Sequence, residues 1–410
     1  MALKIKLLKL FTLVAVVIVL HYFVLGIIMI YSYSEGGGLW TTEGTPNQSL
    51  SASLGGVRHR VPNTKDIAKG MTAEGNPEPA SGNNNEENEE GEAREYPEGG
   101  GRLSPPATSS SPMFVLLLSS LARGGSTFMS ELLSTIQRSI VYFEPLWYIE
   151  KMECIQDPLC ATEYLLAAFT CTFKPDFEKW LMGRHGFFSY FNADVRVCLM
   201  MKDNKSKNEC LNKLSLPEMC RAAPVRIMKV IRGRISWLKD ILSDPKINLK
   251  IIHLTRDPRG SLNSISKFGP TWPHDPHERC SVMKDDMDAY DKLSPKFPSK
   301  LLQVHFEDLC LHPENAIGNI FKFLFGNSSL PTATQRYINL HMNTEVKPNA
   351  MGTIKKSKSE FEAWRYKIPE RLLSKVEVEP VCLYTIHRMR HTVFGTLERV
   401  RNSSIPLILP

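Results

Sequence analysis

Residues 113–127 read MFVLLLSSLARGGST, in which an unbroken apolar run meets a short loop with two glycines. An apolar run of this length is typical of a strand buried on both faces of a parallel sheet. After the loop, apolar side chains recur at helical spacing, namely Phe128, Met129, Leu132, Leu133 and Ile136. The pattern predicts a strand, a glycine loop and a helix, as at the start of an α/β fold with a central parallel sheet flanked by helices.

The glycine loop has the composition of an anion-binding element. Gly124 and Gly125 allow an anion to approach the backbone closely, and the hydroxyls of Ser126 and Thr127 add hydrogen-bond donors at the start of the helix. The loop is not a Walker A motif, because the lysine of that motif is missing and Arg123 precedes the glycines instead. The alternative is an ordinary turn between a strand and a helix.

A second junction of the same kind follows LKIIHLT at 249–255, which reads as another buried strand. Asp257 and Pro258 suit the N-cap and first position of a helix. In that helix Leu262 and Ile265 are expected to face the sheet. Arg256 then lies at the carboxyl end of a strand, where open α/β sheets bind ligands. The alternative is a surface arginine paired with Asp257.

The N-terminal part reads as a membrane anchor followed by a spacer. Residues 10–31 carry no formal charge and are long enough to span a bilayer, and no small-residue cleavage site follows them. Three lysines precede this run and no base follows until Arg58, which favours a cytoplasmic N-terminus. Residues 35–112 are rich in Gly, Pro, Ser, Asn and Glu and lack apolar periodicity. We expect a cytoplasmic tail (1–9), a transmembrane signal anchor (10–31), a flexible lumenal stem (32–112) and a lumenal globular domain (113–410).

Charge and cysteine content fit that topology. The 50 Lys and Arg against 43 Asp and Glu give a net charge of +7, too small to indicate a nucleic-acid partner. The stem is acidic and the part beyond it basic, which suits an anionic substrate or cofactor; a solvated basic surface is the alternative. All nine cysteines lie beyond the stem, which favours disulfides with at least one cysteine left outside them. Four glycosylation sequons also fit a lumenal domain: Asn47, Asn204, Asn327 and Asn402.

One spacing is of the kind found in metal sites. His274, His277 and Cys280 have side chains that bind zinc. However, Pro273 and Pro276 interrupt any helix that would align them, and no fourth ligand is nearby in sequence. We therefore predict no metal.

Four motifs, in this order and spacing, resemble the Golgi galactose, N-acetylgalactosamine and N-acetylglucosamine 6-O-sulfotransferases. They are RGGSTF at 123–128, FEPLW at 143–147, RDPR at 256–259 with Ser264, and FEDL at 306–309. The resemblance covers roughly residues 113–390 and implies a P-loop-like sulfotransferase fold that uses 3′-phosphoadenylyl sulfate (PAPS) as sulfate donor.

The resemblance also implies roles for individual residues. The family's glycine loop binds the 5′-phosphosulfate of PAPS, and its Arg and Ser pair binds the 3′-phosphate, which corresponds to Arg256 and Ser264. Gly124 departs from the family, which more often has Ser there, so one hydroxyl donor is missing. The implied cofactor-binding residues are Arg123, Gly124, Gly125, Ser126, Thr127, Phe128, Arg256 and Ser264.

Sulfuryl transfer, like phosphoryl transfer, requires alignment of donor and acceptor and stabilisation of charge on the departing phosphate. Arg123 and the loop amides can supply this without a metal. Glu144 ends the apolar run at 140–143, and we expect it to lie near the glycine loop and accept the proton of the acceptor hydroxyl. The alternative is a structural ion pair with Arg123 or another base. Lys229 and Arg232, in and after a further predicted strand, are candidates for holding anions.

Lys355 and Lys356 precede Trp364 and Arg365. The family has a Ser/Lys segment before a Trp-Arg here that looks like a lid over the cofactor, and an exposed charge run is the alternative. We leave these two lysines outside the predicted site.

The sequence thus predicts a type II Golgi membrane enzyme that transfers sulfate from PAPS to the 6-hydroxyl of Gal, GalNAc or GlcNAc in a glycan acceptor. The alternatives are a tyrosylprotein sulfotransferase, a P-loop kinase and a non-catalytic glycan-binding protein. The sequence leaves open the sugar, the linkage and the oligomeric state.

Overall fold

The computed structural model describes residues 111–410 except 151, 153, 184–186, 269–273, 344–352 and 354–356. The predicted tail (1–9), anchor (10–31) and nearly all of the predicted stem (32–112) lie outside these residues. Within the described part, no helix is long and apolar enough to cross a membrane.

A five-stranded sheet, parallel throughout, forms the centre of the described part, with the order β2-β3-β1-β4-β5. The strands are β1 (Met113–Ser119), β2 (Ser139–Phe143), β3 (Val225–Val230), β4 (Leu249–Thr255) and β5 (Leu301–His305). Leu117 of the central strand is in register with Lys229 on one side and Ile252 on the other. The predicted α/β class with a central parallel sheet is confirmed.

Alternation along β1 builds a core on each face of the sheet. Phe114, Leu116 and Leu118 belong to one buried cluster, whereas Val115 and Leu117 belong to the other. All five side chains are at most 5% exposed. The run MFVLLL is therefore apolar at every position because both faces of its strand are covered by helices.

The helices connect the strands and cover both faces of the sheet. Their bounds are α1 (Ser126–Ser134), α2 (Trp147–Glu150), α3 (Pro158–Thr170), α4 (Pro175–Met182), α5 (Phe188–Phe191), α6 (Ala193–Met200), α7 (Asn204–Asn212), α8 (Leu216–Ala222), α9 (Lys239–Ser243), α10 (Pro258–Ile265), α11 (Pro276–Leu293), α12 (Phe306–Leu311), α13 (Pro313–Phe325), α14 (Thr332–Asn343), α15 (Ser357–Glu360), α16 (Glu370–Val378), α17 (Pro380–Arg388) and α18 (Leu397–Arg401). Short 3₁₀ turns occur at Ile235–Leu238, Ser266–Phe268 and Ala363–Tyr366.

Helix α10 begins as predicted but packs differently. Asp257 caps it, accepting the Arg259 amide at 2.9 Å, and Pro258 is its first residue. Leu262 does not face the sheet, because α10 contacts α11, α16 and α17, and Leu262 is buried among the apolar side chains of those helices. Ile265 packs against Ala122 and Trp147, beside the glycine loop.

Four disulfides use eight of the nine cysteines, as the lumenal assignment predicts. They are Cys154–Cys160, Cys171–Cys220, Cys198–Cys210 and Cys280–Cys382. Cys310 is a buried thiol outside these bonds. The last disulfide joins α11 to α17 across 102 residues. A crosslink over such a loop stabilises a fold by on the order of 2–5 kcal/mol.

A buried ion cluster joins the start of α10 to the C-terminal helices. Arg259, with its side chain fully buried, bonds the Asp257 carboxylate at 2.7 Å and that of Glu377 at 2.5 Å. His391 Nδ1 lies 3.0 Å from Asp257 Oδ2. Burial alone would raise the pKa of Asp257, but Arg259 and His391 lower it well below its usual range. The Asp257 carboxylate is therefore ionised and fully paired inside the fold.

His391 gives this cluster a pH dependence. Burial lowers the pKa of His391, but the Asp257 carboxylate, with a contribution from Glu307, raises it above the ordinary value. A histidine whose folded pKa is raised binds its proton more tightly when folded. Its contribution to stability is fully present below about pH 6.5 and is lost as the pH rises through the folded pKa.

We predict that His391→Gln lowers Tm most at pH 6 and that the difference from wild type shrinks as the pH rises towards 9. A loss of about 1 kcal/mol corresponds to roughly 2 °C in a domain of this size. Thermal unfolding at a series of pH values measures this. His387→Gln, at an exposed histidine of α17, is the matched control. A difference between wild type and His391→Gln that is constant with pH would contradict the assignment.

Candidate active site

The carboxyl ends of the five parallel strands meet at one edge of the sheet, so the segments after them share one region. These segments are the glycine loop after β1, Glu144 after β2, residues 231–234 after β3, Arg256 after β4 and Phe306 after β5. All four sequence motifs therefore contribute residues to a single edge.

Side chains hold the carbonyl groups of the glycine loop. Three consecutive carbonyl oxygens, those of residues 121–123, each accept a hydrogen bond. The donors are, in order, Ser119 Oγ at 2.8 Å, Ser261 Oγ at 2.6 Å and Arg256 Nη1 at 2.8 Å. In a trans peptide the N–H points opposite to the C=O. Fixing these carbonyls therefore also fixes the direction of the next amides, at residues 122–124.

The first turn of α1 continues this set of amides. Gly125 is the N-cap residue of α1 and has φ 91°, and no side chain makes a capping hydrogen bond at this helix start. The first backbone bond of the helix runs from the Met129 amide to the Gly125 carbonyl at 3.1 Å. Among the described residues, the amides of residues 126–128 therefore have no backbone acceptor, and they are of the kind that bind anions at helix N-termini.

Both glycines are required by close neighbours. A Cβ at Gly124 would lie 2.6 Å from Ser119 Oγ, so the hydroxyl that holds the loop occupies the space that a serine would need at 124. A serine at 124 would therefore displace the hydroxyl that bonds the Leu121 carbonyl. A Cβ at Gly125 would lie 2.5 Å from the Phe306 ring, and its positive φ disfavours any other residue.

Phe306 gives the fourth motif a role that the sequence did not reveal. Its ring contacts Gly125, and the Arg256 guanidinium lies 4.2 Å from the ring centroid in a cation–π contact. The next residue, Glu307, accepts the Asp257 amide at 3.0 Å. Burial raises the pKa of this carboxyl. The motif therefore braces the glycine loop and the turn after β4 against each other.

Arg256, Arg123 and Ser264 lie around the glycine loop. Arg256 bonds the Arg123 carbonyl, and Arg123 Nε donates to Ser264 Oγ at 3.2 Å. Asp257 pairs with Arg259 rather than with Arg256. Arg256 Nε is buried and has no acceptor among the described residues. The geometry thus leaves part of the Arg256 guanidinium available for a ligand.

Glu144 lies at the same edge, after β2, and β3 separates β2 from β1, which leads into the glycine loop. Its carboxylate, 2% exposed, is 2.7 Å from Lys229 Nζ and 3.1 Å from Arg232 Nη1. Glu144 therefore forms ion pairs with Lys229 on β3 and Arg232 after it, and not with Arg123. Arg232 also bonds Glu150 at 2.7 Å. Lys229 and Arg232, which the sequence suggested as anion-holding residues, are therefore paired with carboxylates.

Two residues assigned to catalysis from the sequence have an unusual backbone. Arg123 has φ 63° and Glu144 φ 55°, in the left-handed region that residues other than glycine rarely adopt. Such strain persists only where surrounding contacts enforce it, and it is concentrated at functional sites.

The other predicted residues have mainly structural surroundings. Phe128 packs in the core, with its ring 5.5 Å from that of Tyr337, so only its backbone is placed to meet an anion. Ser126 is buried and Thr127 half-buried at the start of α1. Lys355 and Lys356 lie outside the described residues.

No group of three or more His, Cys, Asp or Glu among the described residues is placed to hold a metal. The spacing at residues 274–280 has another explanation. Cys280 is disulfide-bonded to Cys382, and His277 contacts Glu379 at 3.0 Å.

Two sets of known proteins are similar to this chain, although no protein-family model matches it. Among solved structures, the sulfotransferase domain of the Synechococcus PCC 7002 olefin synthase has a TM-score of 0.37 at 16% identity, covering 65% of this chain and 91% of that one. Mouse sulfotransferase SULT7A1 complexed with PAP has a TM-score of 0.31 at 11% identity, covering 71% and 86%.

The curated relatives match more closely. Carbohydrate sulfotransferase 3 of Rattus norvegicus is 23% identical over 341 residues, covering 72% of this chain and 71% of the relative. Carbohydrate sulfotransferase 1 of Danio rerio is 23% identical, covering 72% and 81%. Carbohydrate sulfotransferase 5 of Homo sapiens is 24% identical, covering 75% and 84%. The resemblance predicted from the four motifs is therefore confirmed: this chain is similar to carbohydrate sulfotransferases over about three quarters of its length.

Proposed function

We propose that this protein transfers sulfate from PAPS to a hydroxyl of a glycan acceptor, the 6-hydroxyl of Gal, GalNAc or GlcNAc. The observation that carries the proposal is the geometry of the glycine loop. Side chains hold its carbonyls, and the amides of the first turn of α1 remain available for an anion. Arg123, Arg256 and Ser264 lie at the same edge of the sheet. The relatives named above supply the reaction class.

The residues present fit a nucleotide with two anionic ends. The loop amides, Arg123 and the hydroxyls of Ser126 and Thr127 would bind the 5′-phosphosulfate. Arg256, whose buried Nε has no acceptor among the described residues, would bind the 3′-phosphate together with Ser264. Phe306 holds the Arg256 guanidinium in place through the cation–π contact.

The donor, when bound, supplies an activated sulfuryl group with a phosphate leaving group. Arg123 and the loop amides would stabilise the negative charge that develops on that phosphate. Glu144 would accept the proton of the acceptor hydroxyl. Lys229 and Arg232 orient its carboxylate and offset the cost of burying the charge.

We further propose that the protein is a single-pass type II membrane protein with its catalytic domain in the Golgi lumen. The four disulfides support an oxidising compartment. The three sequon asparagines in the described part, Asn204, Asn327 and Asn402, are all exposed and so accessible for glycosylation.

The function is tested by sulfate transfer from radiolabelled PAPS to keratan, chondroitin and short oligosaccharide acceptors, with a tyrosine peptide in the same panel. We expect label on a sugar 6-hydroxyl. Label on the peptide alone would overturn the glycan assignment in favour of a tyrosylprotein sulfotransferase. Glycan binding without transfer would indicate a binding protein.

Arg256→Ala should weaken binding of the desulfated product nucleotide by roughly 30-fold or more, because removing a partner from a buried charge pair costs on the order of 2–5 kcal/mol. Ser264→Ala should cost less. Calorimetric titration measures both. Arg371→Ala, at an exposed arginine of α16, is the matched control and should bind like wild type. Unchanged affinity in folded Arg256→Ala would remove Arg256 from the site.

Glu144→Gln should lower single-turnover sulfate transfer by roughly 10²–10⁴, because the amide keeps the shape of the side chain and cannot accept the proton. Nucleotide affinity should barely change. Glu150→Gln, which also removes a carboxylate from Arg232, is the matched control. A variant that loses thermal stability but keeps its turnover per folded molecule would make Glu144 an ion-pair residue and place the base elsewhere.

A further inference from the structure

A group of aromatic side chains that the proposed function does not use lies at the β2 end of the same sheet edge. Phe143 ends β2, and α5 together with the residue before it reads FFSYF at 187–191. Three rings of that segment surround the Phe143 ring, with centroids at 5.8 Å for Phe187, 6.0 Å for Phe191 and 6.3 Å for Tyr190. We call Phe143, Phe187 and Tyr190 the aromatic platform.

Part of the platform surface is open to solvent. Tyr190 is 52% exposed, and Phe143 and Phe187 are half-buried. The neighbouring Phe188, by contrast, is buried in the core. Binding sites for small molecules are typically lined by accessible aromatic rings, which provide contact area, and by a few polar groups, which fix the orientation of the ligand.

Phe187 keeps its ring in place through an unfavourable backbone. Its φ of 50° and ψ of 7° lie in the left-handed region, which bulky residues rarely adopt. The ring stacks on that of Trp147 at 5.5 Å and meets the Phe143 ring nearly edge-on, at 65°. Glycine would adopt this backbone without strain. A phenylalanine here therefore costs stability, and strain of this kind is concentrated at functional sites.

One set of contacts links Phe187 to the glycine loop. Phe187 packs against the apolar cluster formed by Ala122, Trp147 and Ile265. The Ala122 carbonyl is one of the three that side chains hold in the loop, and its donor is Ser261. In the proposed function, the sulfuryl group of the donor would lie at this loop.

A second set of contacts links Phe187 to the proposed base. Lys229 Nζ lies 4.0 Å from the centroid of the Phe143 ring and 2.7 Å from the Glu144 carboxylate. Phe187 in turn contacts Phe143. An acceptor hydroxyl must reach both the sulfuryl group and the base. A sugar packed on Phe187 would have the loop on one side and Glu144 on the other.

Strand order separates the platform from the proposed 3′-phosphate site. Phe143 belongs to β2, whereas Arg256 follows β4, and β3 and β1 lie between those two strands. The platform rings carry no charge, so they do not match the phosphates of the nucleotide. A sugar ring has an apolar face that can pack on an aromatic ring. The Tyr190 hydroxyl, which donates to the Glu131 carboxylate, can still accept a hydrogen bond from a sugar hydroxyl.

We propose that the aromatic platform binds the acceptor by stacking, with Phe187 against the sugar that receives sulfate and Tyr190 against the next sugar of the chain. The proposal rests on the proposed function and adds the residues that hold the acceptor in place. Phe187 is then a residue that binds substrate, and its strained backbone serves to fix the ring beside the reacting hydroxyl.

Phe187→Gly removes the ring and leaves a residue that suits the backbone. The full chain in mild detergent, saturated with the desulfated product nucleotide, is titrated with an N-acetyllactosamine tetrasaccharide and with a desulfated chondroitin tetrasaccharide. For the oligosaccharide that wild type binds, we expect Phe187→Gly to lower affinity about tenfold and Phe187→Tyr to retain it. Nucleotide affinity should not change, and thermal unfolding measures the folded fraction separately.

Phe323→Ala is the matched control and should bind like wild type. Phe323 is a half-buried phenylalanine of α13, and its ring lies 4.8 Å from Nζ of Lys250, near the amino end of β4. It is therefore at the opposite edge of the sheet. For the outer part of the platform, Tyr190→Leu should weaken binding more than Tyr190→Phe, because both variants lose the hydroxyl and only the first loses the ring.

Three results would refute the proposal: unchanged oligosaccharide affinity in folded Phe187→Gly, weaker nucleotide binding in that variant, or binding of neither oligosaccharide by wild type. The second result would assign the ring to the nucleotide. Sulfate transfer by Phe187→Gly with an unchanged KM for the acceptor would also refute it, while supporting the proposed function. Phe187-dependent oligosaccharide binding without any transfer would support the proposal and refute the enzymatic assignment.

Discussion

The buried ion pair between Asp257 and Arg259 organises the edge of the sheet where the proposed site lies. Both side chains are fully buried, so neither charge is tolerable without the other. Asp257 also caps α10 and contacts His391, and Arg259 reaches Glu377. One pair of charges thereby fixes the turn after β4, starts a helix and anchors the C-terminal part of the domain.

The position of Arg256 follows from this pairing. Because Asp257 is engaged by Arg259, Arg256 turns to the glycine loop, where it bonds the Arg123 carbonyl and lies over the Phe306 ring. The same ring closes against Gly125. The loop, the turn after β4 and the turn after β5 thus hold one another through contacts among residues that are far apart in the chain.

The edge separates into two electrostatic regions. Around the glycine loop, Arg123 and Arg256 lie beside backbone amides, and in the part of the chain that the structure describes no carboxylate pairs with Arg256. On the β3 side, Glu144 is enclosed by Lys229 and Arg232, and further arginines follow. A nucleotide donor and a sugar acceptor need different electrostatic surroundings. The donor carries fixed negative charge, which needs positive groups, whereas the acceptor hydroxyl has a proton that a base must remove.

Local signals in the sequence were sufficient for β1, β3, β4 and the start of α10, because continuous apolar runs and an Asp-Pro cap act over a few residues. They were also sufficient to find the four motifs, whose residue types reflect backbone geometry at single turns. Strand order is not encoded locally, and only the structure places β3 between β2 and β1, where it supplies Lys229 as the ion-pair partner of Glu144. Three further features depend on which segments meet in space. They are the burial of Leu262 among helices, the Ser119 hydroxyl that excludes a side chain at Gly124, and the lack of a hydrogen-bond acceptor for Arg279 Nε among the described residues. Burial and pairing are properties of contacts between distant segments, and only the folded chain brings those segments together.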